Sequence, residues 1–367
     1  KLAIATSADR NYGRVLRAEW VFKSFATIKS QNYKHAKSSG FSEKIARQVA
    51  LMPHLNIGVF SLKKNAPHWK IWQKNLRIAL SKGKIRIAVF PVAGRGTRFF
   101  PVTKVSPKEM LPIVDKPLIQ YAVEEAIAAG AKKLIFITGN SQDVLKSHFE
   151  NNLELEKALI QSGKESLLSL VKEIIPSDIK CVYINQKKPL GLGHAVLCAQ
   201  EAVGNEPFFV HLADDLISGD VPCLVQMRSH FEMHKVSIVG VEHIDLSESE
   251  KYGIVGTEKN NGVLQVTKII EKPLPKDAPS NLAVVGRYIL KPEIFSKLAK
   301  TSKGVGNEIQ LTDGISSLIQ EQPVHALPFD GIRYDCGSKL GYLRATIEYG
   351  IKHPDVGSRL SEYIQRL

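Results

Sequence analysis

A glycine-rich turn directly after an apolar run constrains the fold of this chain more than any other feature. Residues 85–93 are apolar except for Arg86 and Pro91, which predicts a strand buried on both faces of a sheet. The chain then continues as Gly-Arg-Gly-Thr-Arg at positions 94–98. Glycines let backbone N–H groups approach phosphate oxygens, while Arg98 and the nearby Lys108 supply positive charge. The pattern therefore predicts a nucleotide-binding loop at the edge of a sheet.

Two better-known phosphate-binding loops do not fit this turn. A dinucleotide-binding fingerprint requires a third small residue where Phe99 stands, and a Walker loop requires Gly-Lys followed by Ser or Thr, whereas residues 96–98 are Gly-Thr-Arg. For Gly-x-Gly alone, an ordinary tight turn after a strand would be the better interpretation. Arg98 and the segment Pro-Lys-Glu-Met-Leu-Pro at 107–112 favour a nucleotide instead.

The loop and the segments after it resemble the sugar-phosphate nucleotidylyltransferases. Within that family, residues 108–121 are most similar to the bacterial UTP-glucose-1-phosphate uridylyltransferases, also called UDP-glucose pyrophosphorylases. The resemblance runs from about residue 85 to near the C-terminus. Further matching segments follow in the same order at 191–199, 271–273, 286–288, 308–313 and 335–342.

The order of apolar runs and helical patterns predicts the fold class. Strands are expected at 134–138, 181–184, 208–212, 236–241 and 263–270, a helix between Pro117 and Gly130, and another helix beginning near Glu308. This alternation predicts a doubly wound α/β fold with a mainly parallel, Rossmann-like sheet. Ligands bind beyond the carboxyl ends of the strands in such sheets, which is where the glycine loop stands.

Two aspartates that follow the predicted strand 208–212 indicate a metal site. An aspartate at the carboxyl edge of a strand can coordinate Mg²⁺, but it can equally cap a helix or a turn. The resemblance favours the metal for Asp214, assigns Asp215 to a position near the ribose, and makes Asp335 a second acidic position. We therefore expect Mg²⁺ as the cofactor, with Asp214 and Asp335 as its ligands.

The resemblance also implies the contacts of the nucleotide and of the sugar phosphate. Gln186 offers a donor and an acceptor to the imide edge of uracil or thymine, so that purines should not fit. Lys272 presents a point charge to the 1-phosphate, although Glu271-Lys272 taken alone would be a surface ion pair. The implied nucleotide contacts are Ala93, Gly94, Gly96, Thr97, Glu109, Gln186, Gly191 and Asp215. The implied sugar-phosphate contacts are Gly253, Glu271, Lys272 and Gly286.

Together these residues imply Mg²⁺-assisted transfer of the uridylyl group of UTP to glucose 1-phosphate, which yields UDP-glucose and pyrophosphate. The sugar phosphate is already ionised at neutral pH and attacks the α-phosphorus in line, so that no general base is needed. Arg98, Lys108 and Lys272 are the expected catalytic residues. Lys272, together with Mg²⁺, reduces the repulsion between two anions, and Arg98 and Lys108 stabilise the leaving pyrophosphate. A thymidylyltransferase and a weakly active regulatory relative of the same fold stay open as alternatives.

The first 84 residues differ in composition from the rest of the chain. They contain 17 Lys and Arg against 3 Asp and Glu, together with all three tryptophans, and so account for the whole net charge of +14. This shift predicts a boundary between a basic segment, 1–84, of unknown role and a nucleotidylyltransferase domain, 85–367. Weak binding of nucleic acid or an anionic membrane through the basic segment is the alternative of another class, and a solvated appendage is favoured over it.

No uninterrupted apolar run approaches the roughly 20 residues that a membrane helix needs. The four cysteines lack the spacing of a zinc site or a disulfide framework, which favours buried, reduced thiols. We therefore expect a cytoplasmic enzyme, and we further expect a homo-oligomer.

Overall fold

The computed structural model describes residues 85–139 and 142–367. The hypotheses on the basic segment 1–84 lie outside the described residues. The strands are β1 (Ile87–Val92), β2 (Pro112–Ile113), β3 (Lys116–Pro117), β4 (Lys133–Thr138), β5 (Lys180–Asn185), β6 (Phe208–His211), β7 (Asp215–Ser218), β8 (Ser237–His243), β9 (Gly253–Asn260), β10 (Val263–Glu271), β11 (Leu282–Leu290), β12 (Val324–Pro328) and β13 (Ile332–Asp335). The α-helices are α1 (Leu118–Ala128), α2 (Gln142–Phe149), α3 (Leu153–Gln161), α4 (Glu165–Lys172), α5 (Leu192–Cys198), α6 (Gln200–Val203), α7 (Cys223–His234), α8 (Glu293–Leu298), α9 (Leu311–Leu318), α10 (Lys339–Lys352) and α11 (Gly357–Arg366).

The main sheet has the strand order β5-β4-β1-β6-β11-β8-β12-β10-β9. The strands β5, β4, β1 and β6 pair in parallel, and so do β8 and β12. In contrast, β10 and β11 run antiparallel to each of their neighbours. The predicted α/β fold with a mainly parallel sheet is confirmed, and its two reversed strands lie in the half built from the later part of the chain.

Both faces of the sheet are covered, as the apolar first strand predicts. In β1, Ile87 and Val89 belong to one buried cluster, whereas Ala88, Phe90 and Val92 belong to a second cluster on the other face. The first cluster includes residues of α5, α8 and α9, and the second includes residues of α1 and α7. Because successive side chains of a strand point to opposite faces, an uninterrupted apolar strand can be stable only between two such layers.

The ends of the predicted helices and strands agree with the structure to within about two residues, with one exception. The helix expected near Glu308 begins only at Leu311, and Glu308 is extended, with φ −115° and ψ 153°. Ile309 donates its N–H to the carbonyl of Leu190 at 2.7 Å, and its own carbonyl accepts the N–H of Gly193 at 2.9 Å. These contacts with a distant segment keep residues 308–310 out of the helix.

The cysteines and the helices test two further expectations. All four cysteines are free; Cys223 and Cys336 are buried, but Cys181 and Cys198 are only partly buried, so the prediction of buried thiols is wrong for that pair. Among the helices that the structure describes, none is long and apolar enough to cross a membrane.

Candidate active site

One cleft of about 1020 Å³ collects many of the residues that the sequence indicates. Its walls come from the strands β8 to β11, from β13 and from the start of α10. The predicted site residues that line it are Arg98, Asp214, Asp215, Gly253, Glu271, Lys272, Gly286 and Asp335. The expected metal ligands and sugar-phosphate contacts therefore share one space, although they come from segments more than 100 residues apart in the chain.

The glycine loop follows β1 and folds tightly over the side chain of Lys108. Gly96 has a left-handed backbone with φ 60°, and its carbonyl accepts hydrogen bonds from Phe99 N–H at 2.9 Å and Thr103 Oγ1 at 2.7 Å. A Cβ atom on Gly96 would lie 3.0 Å from Lys108 Cβ, and one on Gly94 would lie 3.6 Å from Lys108 Cε. The loop thus needs glycine for its turn and for the approach of the lysine. The predicted contacts Ala93 and Thr97 belong to the same loop, and Thr97 and Arg98 are exposed.

Lys108 connects this loop to the first of the two aspartates. Its Nζ lies 2.5 Å from Asp214 Oδ2 and 3.9 Å from Glu109 Oε1. Burial alone would lower the pKa of Lys108, but the charges of Asp214 and Glu109 outweigh it and raise that pKa. Burial would likewise raise the pKa of Asp214, yet the charge and hydrogen bond of Lys108 hold it below its usual value. Both groups are therefore charged at neutral pH.

Glu109 is a buried carboxyl group beside this pair. Its side chain is almost fully enclosed, and within the described part of the chain its Oε2 has no hydrogen-bond partner. Burial raises the pKa of Glu109 to about 7; the nearby Lys108 opposes this shift, and Asp214 adds to it. Glu109 does not line the cleft, and its predicted contact with the nucleotide stays a prediction.

A small two-stranded sheet brings the acidic residues together. β7 pairs antiparallel with β13 in a register that places Asp335 directly opposite Asp215. The backbone carbonyl of Asp214 accepts the N–H of Cys336 at 2.8 Å. Asp335 Oδ1 accepts the N–H of Gly337 at 3.0 Å. Burial and the charges of Asp215 and Asp214 raise the pKa of Asp335, although Arg333 opposes them. Three carboxylates from two distant segments thus converge at one edge of the cleft.

Gly337 keeps a narrow space open between two of these carboxylates. A Cβ atom on Gly337 would lie 3.0 Å from Asp214 Oδ2 and 3.0 Å from Asp335 Oδ1. The same Cβ would lie 3.6 Å from Arg98 Nη1, and Arg98 donates to the Gly337 carbonyl at 3.4 Å. The space between the two carboxylate oxygens is therefore small, negatively charged on two sides and lined by a cation on a third.

The second aspartate, Asp215, is held firmly by the protein itself. Arg333 donates from Nε to Asp215 Oδ1 at 2.6 Å, its Nη2 lies 2.6 Å from the same oxygen, and the N–H of Gly286 donates to Oδ2 at 2.9 Å. Arg333 also contacts Glu242 Oε1 at 2.5 Å and lies 4.9 Å from the ring centre of Tyr252. Asp215 therefore fixes the wall of the cleft, and its predicted contact with the nucleotide stays a prediction.

The sugar-phosphate side is formed by the ends of strands and by two close-packed glycines. Glu271 ends β10, and its Oε2 accepts the hydroxyl of Thr312 at 2.9 Å. A Cβ atom on Gly253 would lie 2.7 Å from Thr312 Cγ2, and one on Gly286 would lie 2.6 Å from Asp215 Oδ2. Both predicted glycines are thus required by space, so that backbone forms the surface of the cleft at these points.

Lys272 is an exposed cation in the wall of the cleft. It adopts a left-handed backbone, with φ 47°, directly after β10, which is unusual for a residue with a side chain. Its Nζ lies 3.5 Å from Glu271 Oε1, and 43% of its side chain is exposed. Strained conformations of this kind are concentrated at functional sites. Lys272 is therefore free to meet an anion that enters the cleft.

The predicted base contacts, Gln186 and Gly191, adjoin each other beside the cleft. Gln186 Nε2 donates to the Gly191 carbonyl at 3.2 Å and lies 2.9 Å from His194 Nδ1. Gly191 has φ 101°, and a Cβ there would lie 2.6 Å from Glu308 Cβ. The amide nitrogen of Gln186 is thus engaged within the protein. This contact with His194 orients the Gln186 side chain.

Known proteins share the sequence and the fold described above. Residues 88–350 match the sequence model of the nucleotidyl transferase family, and this match spans most of the chain. This chain belongs to the nucleotidyl transferase family.

Relatives of this nucleotidyl transferase are similar over almost their whole length. The UTP–glucose-1-phosphate uridylyltransferase YngB of Bacillus subtilis (strain 168) is 45% identical over 284 residues, which are 77% of this chain and 95% of that protein. A crystal structure of a UDP-glucose pyrophosphorylase complexed with UDP-glucose is 45% identical, with a TM-score of 0.68, and covers 73% of this chain and 100% of its own. A UTP-bound UDP-glucose pyrophosphorylase from Acinetobacter baumannii is 40% identical, with a TM-score of 0.72. The match covers 77% of this chain and 99% of that chain.

Three residues at the site of this nucleotidyl transferase were missed by sequence reasoning: Arg333, Gly337 and Thr312. Arg333 precedes Asp335 by two positions on β13, so that the period of two in a strand places both on one face. Gly337 follows Asp335 by two positions and belongs to the same matching segment. Thr312 lies in the matching segment 308–313, but its contact with Glu271 spans 41 residues and only the fold shows it.

Proposed function

We propose that this protein transfers the uridylyl group of UTP to glucose 1-phosphate and releases pyrophosphate. The observation that carries the proposal is the single cleft that holds Asp214 and Asp335 on one side and Glu271 and Lys272 on the other. It is supported by relatives that bear the name of this reaction and by solved structures that contain UTP or UDP-glucose.

The charges of the cleft suit an in-line displacement at phosphorus. Lys272 is positioned to bind the 1-phosphate, and Arg98 and Lys108 to bind the leaving pyrophosphate. The phosphate nucleophile needs no proton removed, so that catalysis depends on orientation and on charge stabilisation. Glu271, oriented by Thr312, is left to accept hydrogen bonds from the glucosyl hydroxyls.

Asp214 and Asp335 fit the requirements of Mg²⁺. Among the described residues, no three His, Cys, Asp or Glu side chains are arranged to hold a metal ion by themselves. Mg²⁺ is commonly bound by one or two carboxylates together with substrate phosphates and water, and the gap beside Gly337 offers two carboxylate oxygens. The ion would neutralise charge on the phosphates when it is bound.

Pyrophosphate release across a panel of nucleoside triphosphates and sugar 1-phosphates tests this function. We expect UTP with glucose 1-phosphate to give the highest kcat/KM, dTTP to be a weaker substitute, and purine triphosphates to be poor, because the amide oxygen of Gln186 can accept the imide N–H of a pyrimidine. A higher kcat/KM with dTTP would favour the thymidylyltransferase alternative. A clear preference for ATP, or for another sugar phosphate with UTP, would overturn the proposal.

We further propose that residues 85–367 form a complete catalytic domain. The relatives are matched over 95% or more of their length by 77% of this chain, which supports this division. A shortened chain that begins at Lys84 should therefore fold and keep its Mg²⁺-dependent activity within about twofold, since it is large enough to bury its own core. It should lose any salt-sensitive affinity for heparin or anionic vesicles. Insolubility or loss of activity would show that the boundary is misplaced.

We also propose that the protein is a cytoplasmic homo-oligomer. Four free cysteines suit a reducing compartment. Exposed apolar side chains recur on α10 at Leu340, Leu343, Ile347 and Ile351, beside an apolar pocket of about 530 Å³ that contains Phe100. Contiguous exposed apolar surface of this kind is typical of an interface. Light scattering should give a mass above one chain, and Leu343→Asp with Ile347→Asp should reduce it.

A further inference from the structure

The two neighbouring aspartates of the site are held by two cations in different ways. Asp215 receives one hydrogen bond from Arg333 Nε and one from Gly286 N–H, and Arg333 Nη2 lies 2.6 Å from the same carboxylate oxygen as Nε. Only 7% and 11% of the Arg333 and Asp215 side chains are exposed. Among the residues that the structure describes, Asp214 pairs with one side-chain cation, the ammonium of Lys108, and the Lys108 and Asp214 side chains are 23% and 22% exposed. A buried carboxylate that is held by an arginine and by a backbone N–H is fixed, whereas a single contact to a lysine near solvent can be exchanged.

The contact with Lys108 uses the oxygen of Asp214 that faces the gap beside Gly337. Asp214 Oδ2 is 2.5 Å from Lys108 Nζ and would be 3.0 Å from a Cβ atom on Gly337. A divalent cation between Asp214 and Asp335 would therefore lie close to an ammonium group that shares one of its ligands. At such distances two positive charges repel strongly, since little water separates them.

Lys108 has a second set of partners within reach. Its side chain runs along the glycine loop, and a Cβ atom on Gly94 would be 3.9 Å from its Nζ. Phosphates bound by the backbone of this loop would thus lie near the same ammonium. A lysine head group on a flexible stem can change partners without any change in the backbone.

On the basis of the function proposed above, we propose that Lys108 competes with the divalent cation for Asp214. Without nucleotide, the ammonium occupies Oδ2 and keeps the affinity of the site for metal low. Phosphates on the glycine loop then attract Lys108, which releases Asp214. The metal therefore binds together with the nucleotide rather than before it, and Lys108 sets this order.

Mn²⁺ binding to the full chain without nucleotide tests the competition, because Mn²⁺ accepts the same oxygen ligands as Mg²⁺. Free Mn²⁺ is followed by electron paramagnetic resonance for the wild type, Lys108→Met and Arg98→Met. The last variant is the matched control, since it removes one positive charge of the cleft that does not touch Asp214. We expect Lys108→Met to bind Mn²⁺ about tenfold more tightly than the wild type, and clearly more tightly than Arg98→Met. Circular dichroism verifies the fold, and Lys108→Gln serves if the methionine variant does not fold.

A reciprocal measurement uses UTP binding by calorimetry with EDTA present. Asp214→Asn frees Lys108, so that it should strengthen UTP binding more than Asp335→Asn, which removes a charge of the same site without freeing the lysine. Equal gains in the two variants, or Mn²⁺ affinity of Lys108→Met no higher than that of Arg98→Met, would overturn the competition. If the wild type nevertheless requires Mg²⁺ for turnover, the proposed function stands. If no variant binds Mn²⁺ and turnover needs no divalent cation, the metal role and the competition both fail.

Discussion

The two walls of the cleft are built from different halves of the sheet, and they hold charge in different ways. The nucleotide wall follows β1 and β6 in the parallel half, and its cation Lys108 is tied to Asp214 and Glu109. The sugar-phosphate wall comes from β9, β10 and β11, which include the two reversed strands. Its cation Lys272 is largely exposed and has only a 3.5 Å contact with Glu271.

This difference has a physical cause. Parallel strands end in loops whose free N–H groups can hold a polyphosphate, so that the nucleotide wall concentrates several charges and must balance them among neighbours. The antiparallel strands instead present backbone at Gly253 and Gly286, next to which a neutral sugar ring can pack. The nucleotide wall therefore depends on charge balance, whereas the sugar-phosphate wall depends on space and on the exposed cation Lys272.

The largest expected effect is that of Asp214→Asn on the nucleotide wall. Loss of the charge that pairs with Lys108 and would hold Mg²⁺ should lower kcat by about 100- to 1000-fold and weaken its dependence on Mg²⁺. Initial rates over a series of Mg²⁺ concentrations measure both. Asp220→Asn, at an exposed position six residues further on, is the control and should have no effect. Near-normal activity in a folded Asp214→Asn protein would contradict the metal assignment.

A smaller and more selective effect is expected for Lys272→Ala on the sugar-phosphate wall. Removal of the open cation should raise KM for glucose 1-phosphate by about tenfold to 100-fold and leave KM for UTP nearly unchanged, because Lys272 is assigned to only one substrate. The neighbouring exposed Lys276→Ala provides the control. Equal losses toward both substrates would show that the two walls do not divide the ligands as proposed.

Gly286→Ala tests whether the sugar-phosphate wall needs the close approach of the backbone at Gly286 to Asp215 and Leu212. The added Cβ would lie 2.6 Å from both Asp215 Oδ2 and Leu212 Cβ, so that one of them must move. We expect the free energy of unfolding to fall by about 1 to 3 kcal/mol, as in overpacked cores, together with a lower kcat/KM. Chemical denaturation measures the first quantity. Gly262→Ala, with no atom within 4 Å of the added Cβ but a positive φ of 82°, separates packing from backbone strain.

The smallest expected effect concerns pH and the nucleotide wall alone. Since the pKa of Glu109 is raised to about 7, its carboxyl is mostly neutral at pH 6 and mostly ionised at pH 8. A negative charge beside bound phosphates is unfavourable. KM for UTP should therefore rise severalfold between pH 6 and pH 8 in the wild type, and it should rise less in Glu109→Gln. Steady-state kinetics from pH 6 to 8 measure KM for both proteins. The ionisation of the substrates affects the two proteins equally and therefore drops out of the comparison. KM for glucose 1-phosphate should show no such difference between them.

Much of this arrangement could be predicted from local sequence. The apolar run before the glycine loop, the aspartates after β6 and the Glu-Lys pair after β10 each join a strand to a chemically suitable residue, and all three stand where the pattern predicts. Such predictions succeed because the period of side chains and the turn chemistry depend on residues next to one another in the chain. The same reasoning was wrong for the helix expected near Glu308, where hydrogen bonds to Leu190 and Gly193 override the local preference.

The amino-acid sequence by itself determined the α/β class, the loop that faces the nucleotide and the identity of the acidic and basic residues. Only the tertiary structure decided how these charges are paired. The pairing of β13 with β7 places Arg333 on Asp215, 118 residues away, and leaves Asp214 to Lys108, 106 residues away. A charge acts on whatever lies within a few ångströms, and that neighbourhood is set by the order of strands in a sheet rather than by distance along the chain.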